Sequence, residues 1–196
     1  MDRRELRFSG WELVVAAALA LGAAGIYQFG WSSIRLPLGS RLGAPESALG
    51  TVFTLFVVFQ TLGQFPAGWV RDRYGPRIPL LVGALCLTAG FVALAVARSL
   101  PAAYLGYALG GVGVSAVYTV AVNTPVKWFT DRRGLATGLV GMSFPGLSFL
   151  LIPALRGGVT ADFERTLFFV AVAVGGTALL AALVIRDPPS TAVDKA

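Results

Sequence analysis

Two kinds of residue in this chain could do chemistry. Charged groups crowd the stretch Gly68-Trp69-Val70-Arg71-Asp72-Arg73-Tyr74-Gly75-Pro76-Arg77, and again Lys127-Trp128-Phe129-Thr130-Asp131-Arg132-Arg133-Gly134. Uncharged amides and aromatics instead lie inside long apolar runs: Tyr27, Gln28 and Trp31 in the first, Gln60 and Gln64 in the second, Tyr118 and Asn123 in the fourth. The first kind suits a charged hinge at a membrane face. The second suits hydrogen-bonded capture of a small polar solute, because an amide held in lipid must find a partner on a neighbouring helix or in a water-filled cavity. Tyr27 and Trp31 share one helical face by their spacing, and Tyr107, Gly111, Ser115 and Tyr118 form a stripe on another. All of these also suit plain bundle packing, and at this point both readings stand.

The chain contains no histidine and a single cysteine, Cys86, within an apolar run. Imidazole bases, imidazole ligands and cysteine-based metal sites are therefore absent from its repertoire. No phosphate loop of the Walker type occurs among its 24 glycines, so energy from a gradient or an exchange is expected rather than from ATP. No nucleophile–base constellation stands at mid-membrane depth, and we expect no enzyme, cofactor or metal.

The elements that position these residues follow from composition. Of 196 residues, 56% are hydrophobic and 13% charged, against about 25% charged in soluble domains. A span needs roughly 20 apolar residues. Six runs meet that need, predicting helices at Glu12–Ile34, Ala48–Val70, Ile78–Ala97, Ala102–Thr124, Leu135–Leu155 and Thr166–Ile185. They are too long and uniform for alternating barrel strands. The first run is too long for a signal-peptide core and is read as a retained span. Pro45 with Glu46, and Pro101, are helix-start signals. Pro188 and Pro189 stop the sixth helix, and Pro145 is expected to kink the fifth. The pairs Gly106/Gly110 and Gly134/Gly138, with Gly141 and Ala171/Gly175, predict close helix packing.

The net charge of +6 has a topological origin, not a nucleic-acid one. Eleven basic residues (Arg3, Arg4, Arg7, Arg71, Arg73, Arg77, Lys127, Arg132, Arg133, Arg186, Lys195) fall on one side and five (Arg35, Arg41, Arg98, Arg156, Arg165) on the other. The richer side is cytoplasmic by the positive-inside rule, with both termini there and Trp11, Trp69 and Trp128 at its interface. The expected organisation is a cytoplasmic N-terminus over 1–11, a transmembrane domain over 12–185 and a cytoplasmic tail over 186–196, in a multi-pass protein of the cell membrane. No span carries a charge near its centre, where one costs about 2.5–3.5 kcal/mol and marks function.

The pattern Gly68-x-x-x-Asp72-Arg73-x-Gly75-x-Arg77, placed between the second and third helices, resembles the signature loop of the major facilitator superfamily. The stretch from Lys127 to Gly138, with the Asp72–Arg77 run and the closing Arg186-Asp187-Pro188-Pro189, is similar to the oxalate–formate antiporter group, relatives of monocarboxylate transporters. The resemblance covers essentially the whole chain, but only the first six helices of a twelve-helix fold. It implies an all-α membrane protein, its six transmembrane helices arranged as 3+3 inverted repeats, with a site between two halves. It further implies secondary transport of a small organic anion, a mono- or dicarboxylate such as oxalate, formate or lactate, by alternating access.

On that resemblance Tyr27, Gln28, Trp31, Gln60, Tyr118 and Asn123 are the candidate substrate pathway. Gly68, Asp72, Arg73, Gly75, Arg77, Asp131, Arg132 and Arg133 are the candidate conformational latch. The expected partners are the lipid bilayer, a small anion and a second six-helix half supplying the counter-charge, as a separate chain or a homodimer, with no nucleic acid. The competing expectations are a truncated or non-transporting membrane protein, and a carrier of drugs or sugars. Cysteines placed beside Asp72 and Lys127, in a chain whose Cys86 is replaced, should react with an impermeant maleimide from the same side of the membrane. Labelling from opposite sides would overturn the topology.

Overall fold

The computed structural model describes residues 10–188, and every structural statement below concerns those residues. They form eight helical segments: α1 (Gly10–Ala24), α2 (Ile26–Phe29), α3 (Trp31–Leu42), α4 (Glu46–Tyr74), α5 (Arg77–Ala95), α6 (Leu100–Trp128), α7 (Arg133–Ala161) and α8 (Phe163–Val184). The first three are one rod with shallow interruptions. Gly25 and Gly30 both keep right-handed helical dihedrals, and the four-residue bonds Phe29 N–H to Gly25 O (2.9 Å) and Ile34 N–H to Gly30 O (3.1 Å) carry the helix across them. Six helices are long and apolar enough to cross a membrane. Most of them outrun the hydropathy boundaries, because helices continue past the lipid edge with polar residues in their last turns. The rod reaches Leu42 rather than Ile34, and Gly43 ends it at φ +59°, the left-handed terminal position that glycine fills at no steric cost. Pro145 and Pro153 both lie inside α7 without ending it.

α6 is the axis of the bundle. It packs on α4, α5 and α1, while α5 and α8 pack together and α7 lies along α1. Glycines make the α5–α6 crossing. A Cβ on Gly113 would lie 2.9 Å from the Leu87 nitrogen and 3.1 Å from Gly83 O, and one on Gly106 would lie 3.1 Å from Gly90 O. Backbones this close gain dispersion contacts that lipid cannot supply. Gly175 meets Thr88 of α5 in the same way, bringing α8 against it.

The ring of Tyr27 fills the space these glycines leave. It is fully buried, its hydroxyl donates to Gly106 O at 3.0 Å, and a Cβ on Gly110 would land on its ring carbons. Phe91 (4.1 Å between centroids), Tyr107 (5.2 Å) and Phe56 (5.9 Å) surround it. One aromatic side chain thus joins α2, α4, α5 and α6.

α7 differs from the expectation. It packs on α1 through Gly22 and Gly25, which face Ser143 O, Phe144 O, Leu147 and Ser148. A Cβ on its own Gly134, Gly138 or Gly141 would meet nothing within 4 Å. They line an open side of the bundle, and the close contacts expected of them inside this six-helix unit are absent. α4 shares the openness, with Phe65 83% exposed, as Phe149 of α7 is 77% exposed.

Gly110→Leu should expel the Tyr27 ring and prise α6 from α1. Overpacking of this kind costs about 1–3 kcal/mol or more. Thermal unfolding of the detergent-solubilised protein should show a midpoint lowered by several degrees, whereas Gly138→Leu should leave it unchanged.

Candidate functional site

The charged end and the mid-membrane face form two separate constellations. At the charged end, the C-termini of α4, α6 and α8 converge. Arg71, in the last turn of α4, has only 2% of its side chain exposed. Its guanidinium donates to Asp72 Oδ1 (3.2 Å) and to Asp187 Oδ1 (3.3 Å), and Lys127 Nζ reaches Asp187 Oδ2 at 3.4 Å. Trp128 Nε1 donates to Arg186 O at 2.9 Å, and Trp11 packs its ring on Phe129 with centroids 4.9 Å apart. The Asp72 and Lys127 loops therefore share one end of the bundle, together with Trp11, Trp69 and Trp128.

The latch residues sit around this clasp. Gly68 faces α6, with the Thr119 methyl 3.8 Å from where its Cβ would be. Asp72 is exposed and bound to Arg71. Arg73 lies over the rings of Trp69 (5.5 Å) and Tyr74 (5.8 Å). Gly75 turns the chain at φ +83°, a conformation that L side chains resist. Arg77, Asp131, Arg132 and Arg133 are exposed and make no ion pair among the described residues. Sequence reasoning missed the central pair. The sequence places Arg71 in a charged stretch on the basic face and Asp187 in a closing stretch without pairing them, although an acid following the last span on a strongly basic face is a usable signal.

At mid-membrane, Gln60 stands at the midpoint of α4, and its Nε2 donates to Gln28 Oε1 at 3.3 Å. Two amides chosen separately from sequence are thus brought together. Both are partly accessible, and each retains donors and acceptors beyond this one bond. Trp31, about one turn after Gln28, is stacked near Phe53 (6.0 Å) and edge-on to Tyr107 (4.7 Å). Tyr118 is linked through Phe144 (5.7 Å), which also meets Phe29 at 5.3 Å. Asn123 stands apart, exposed, donating to Thr119 O of its own helix at 2.7 Å.

Tyr27 lies behind this face, not on it. Its ring is enclosed in the glycine-lined core and its hydroxyl is satisfied by backbone, so it presents nothing to a solute in this conformation. The aromatic stripe on α6 divides likewise. Tyr107 and Ser115 are buried, Ser115 against Gly63, and only Tyr118 reaches the open face.

Six apolar helices with charge confined to their ends define a multi-pass membrane protein. The Major Facilitator Superfamily model matches residues 13–196, and the chain belongs to that family of membrane transporters. It is 35% identical over 184 residues to the oxalate:formate antiporter of Oxalobacter formigenes, covering 91% of this chain and 43% of that protein. Monocarboxylate transporter 11 of Mus musculus is 32% identical over 149 residues, covering 75% of this chain and 33% of its own. A crystal structure of a peptide transporter POT superposes with a TM-score of 0.72 at 18% identity, covering 93% of this chain and 42% of that one. The six helices are thus one half of the twelve-helix fold, and the chain spans less than half the length of the relatives it matches.

Asp187→Asn should cost about 1.5–3 kcal/mol, the range for hydrogen bonds to charged groups, because it weakens the pairing of a buried guanidinium. Arg71→Met, which removes the buried charge itself, should cost less. Denaturant unfolding of the two variants in detergent gives the comparison.

Proposed function

We propose that this chain is the N-terminal half of a secondary carrier for small organic anions, mono- or dicarboxylates, working by alternating access. The observation that carries the reading is the 35% identity with an oxalate:formate antiporter along 91% of the chain. The site chemistry is compatible. The Gln28–Gln60 pair offers amide N–H donors at mid-membrane depth, and such donors suit carboxylate oxygens. Amides neutralise no charge, and no basic residue stands near the middle of a span. A full anion needs a cation from elsewhere.

We assign that cation to a second six-helix half, seated on the open faces of α4 and α7. Their exposed aromatics and the contact-free Gly138 and Gly141 form a surface suited to close helix approach. A homodimer fits less well, since it duplicates the same uncharged lining. Both termini are placed in the cytoplasm of a cell-membrane protein, which puts the Arg71–Asp187–Lys127 clasp and the Asp72 loop at the cytoplasmic gate. Closing and opening there accompany the rocking of the halves.

A second reading is favoured by the same lack of mid-membrane charge. A carrier of neutral solutes such as sugars or drugs needs only amides and aromatics, as found here. The test is a chimera joining this chain to the part of the Oxalobacter antiporter that it does not match, reconstituted in formate-loaded liposomes. Labelled oxalate should exchange, and Gln60→Leu should reduce exchange about tenfold, the effect of losing ~1.4 kcal/mol of binding. Asp72→Asn should slow exchange by a similar factor while leaving substrate affinity unchanged. Uptake of neutral sugars without carboxylates would favour the second reading, wild-type exchange in Asp72→Asn would remove the latch, and failure of every solute would point to a non-transporting protein.

A further inference from the structure

A cleft of about 480 Å³ opens between α7 and α8 at the end of the bundle remote from the Asp72 loop. Leu151, Leu155, Phe169 and Val170 form most of its wall, with Ile26 of α2 at its back and Arg165 and Thr166 among its lining at the start of α8. It runs along α8 from Arg165 to Ala173, about 12 Å at 1.5 Å per residue. One leaflet of hydrocarbon is about 15 Å deep, half of the ~30 Å core. The cleft therefore spans most of a leaflet's depth, with an apolar wall and a cation at the headgroup level.

Arg165 is the distinguishing feature. The acids beside it bond to groups other than its guanidinium. Asp162 accepts the backbone N–H of Arg165 at 3.0 Å as the helix cap, and Glu164 pairs with Arg41 at 3.8 Å. The Arg165 guanidinium has no ion-pair partner among the described residues. Thr166 directs its hydroxyl to Asp162 O at 2.6 Å, so the deeper lining offers nothing that would recognise a polar solute. A second cleft, about 370 Å³ between α4, α5 and α6, has a similar apolar wall but no charged residue.

We propose that the α7–α8 cleft is a binding site for an anionic phospholipid, its phosphodiester on Arg165 and one acyl chain between Leu155 and Phe169. The acyl chain gains only van der Waals fit when it leaves bulk lipid for a matched wall, so the guanidinium is what selects the headgroup. Phe169, 74% exposed, closes the outer side of the chain's path.

The test uses the chain in phosphatidylcholine vesicles doped with either phosphatidylglycerol or phosphatidylcholine carrying a diazirine on the acyl chain. After irradiation, labelled residues are mapped by mass spectrometry. Around Leu155 and Phe169 the phosphatidylglycerol probe should label about fivefold more than the phosphatidylcholine probe, the equivalent of ~1 kcal/mol for one basic residue against one net headgroup charge. In the α4–α5–α6 cleft the two probes should label equally. Arg165→Gln should abolish the headgroup preference. Ala154→Phe, an exposed position that fills the cleft, should abolish the labelling with Arg165 intact. Equal labelling by both probes at Phe169, or a preference that survives Arg165→Gln, overturns the proposal, as does protection of the cleft by a second copy of the chain.

Discussion

Helices in lipid gain nothing by hiding apolar side chains from one another, since the surrounding acyl chains are as apolar as leucine. What holds this bundle together is the approach of backbones, and the approach is organised around Tyr27. Gly83, Gly90, Gly106, Gly110 and Gly113 let α5 and α6 meet backbone to backbone. The one bulky group admitted is a tyrosine ring whose hydroxyl is satisfied by Gly106 O. α4 joins through Phe56 and α8 through Gly175. A buried hydroxyl without a partner would cost about 1–3 kcal/mol, so the hydrogen bond fixes the register as well as the contact.

The mid-membrane face rests on that core. Gln28 follows Tyr27 directly, so the packing of the tyrosine decides where the amide points. Trp31, one turn on, leans on Tyr107, which itself packs against Tyr27. The Gln28–Gln60 bond then forms between α2 and α4 because Phe56, one turn before Gln60, is fixed against the same tyrosine. The two amides are held by a rigid layer immediately behind them, which keeps a polar pair ordered in a low-dielectric setting.

The charged end follows a different rule. Lys127 and Asp187 remain partly wet, but Arg71 is buried and its charge must be matched. Two acids on different segments match it, and one of them lies beyond the last helix. The end of α8 is thereby tied to the ends of α4 and α6, so any motion that opens this face must break charge-assisted bonds to a desolvated guanidinium. The open faces of α4 and α7 belong to the same picture, since they leave the bundle asymmetric: packed through α5, α6 and α8, bare on the other side.

Sequence alone determined the six apolar spans, the confinement of charge to their ends and the family. The spans and their charged ends depend on residue-by-residue partition between lipid and water, which needs no neighbour. It also singled out Gln28 and Gln60, because an amide in an apolar run is costly wherever it points. Only the tertiary structure decided that these two meet, that the Tyr27 ring is enclosed behind them, that Arg71 pairs with Asp187, and that the glycines of α6 pack while those of α7 stand open. The reason is the solvent. A helix in water announces its buried face by the contrast of polar and apolar residues. In lipid both faces are apolar, so periodicity says little about direction, and the choice falls to the fit of shapes between helices far apart in the chain.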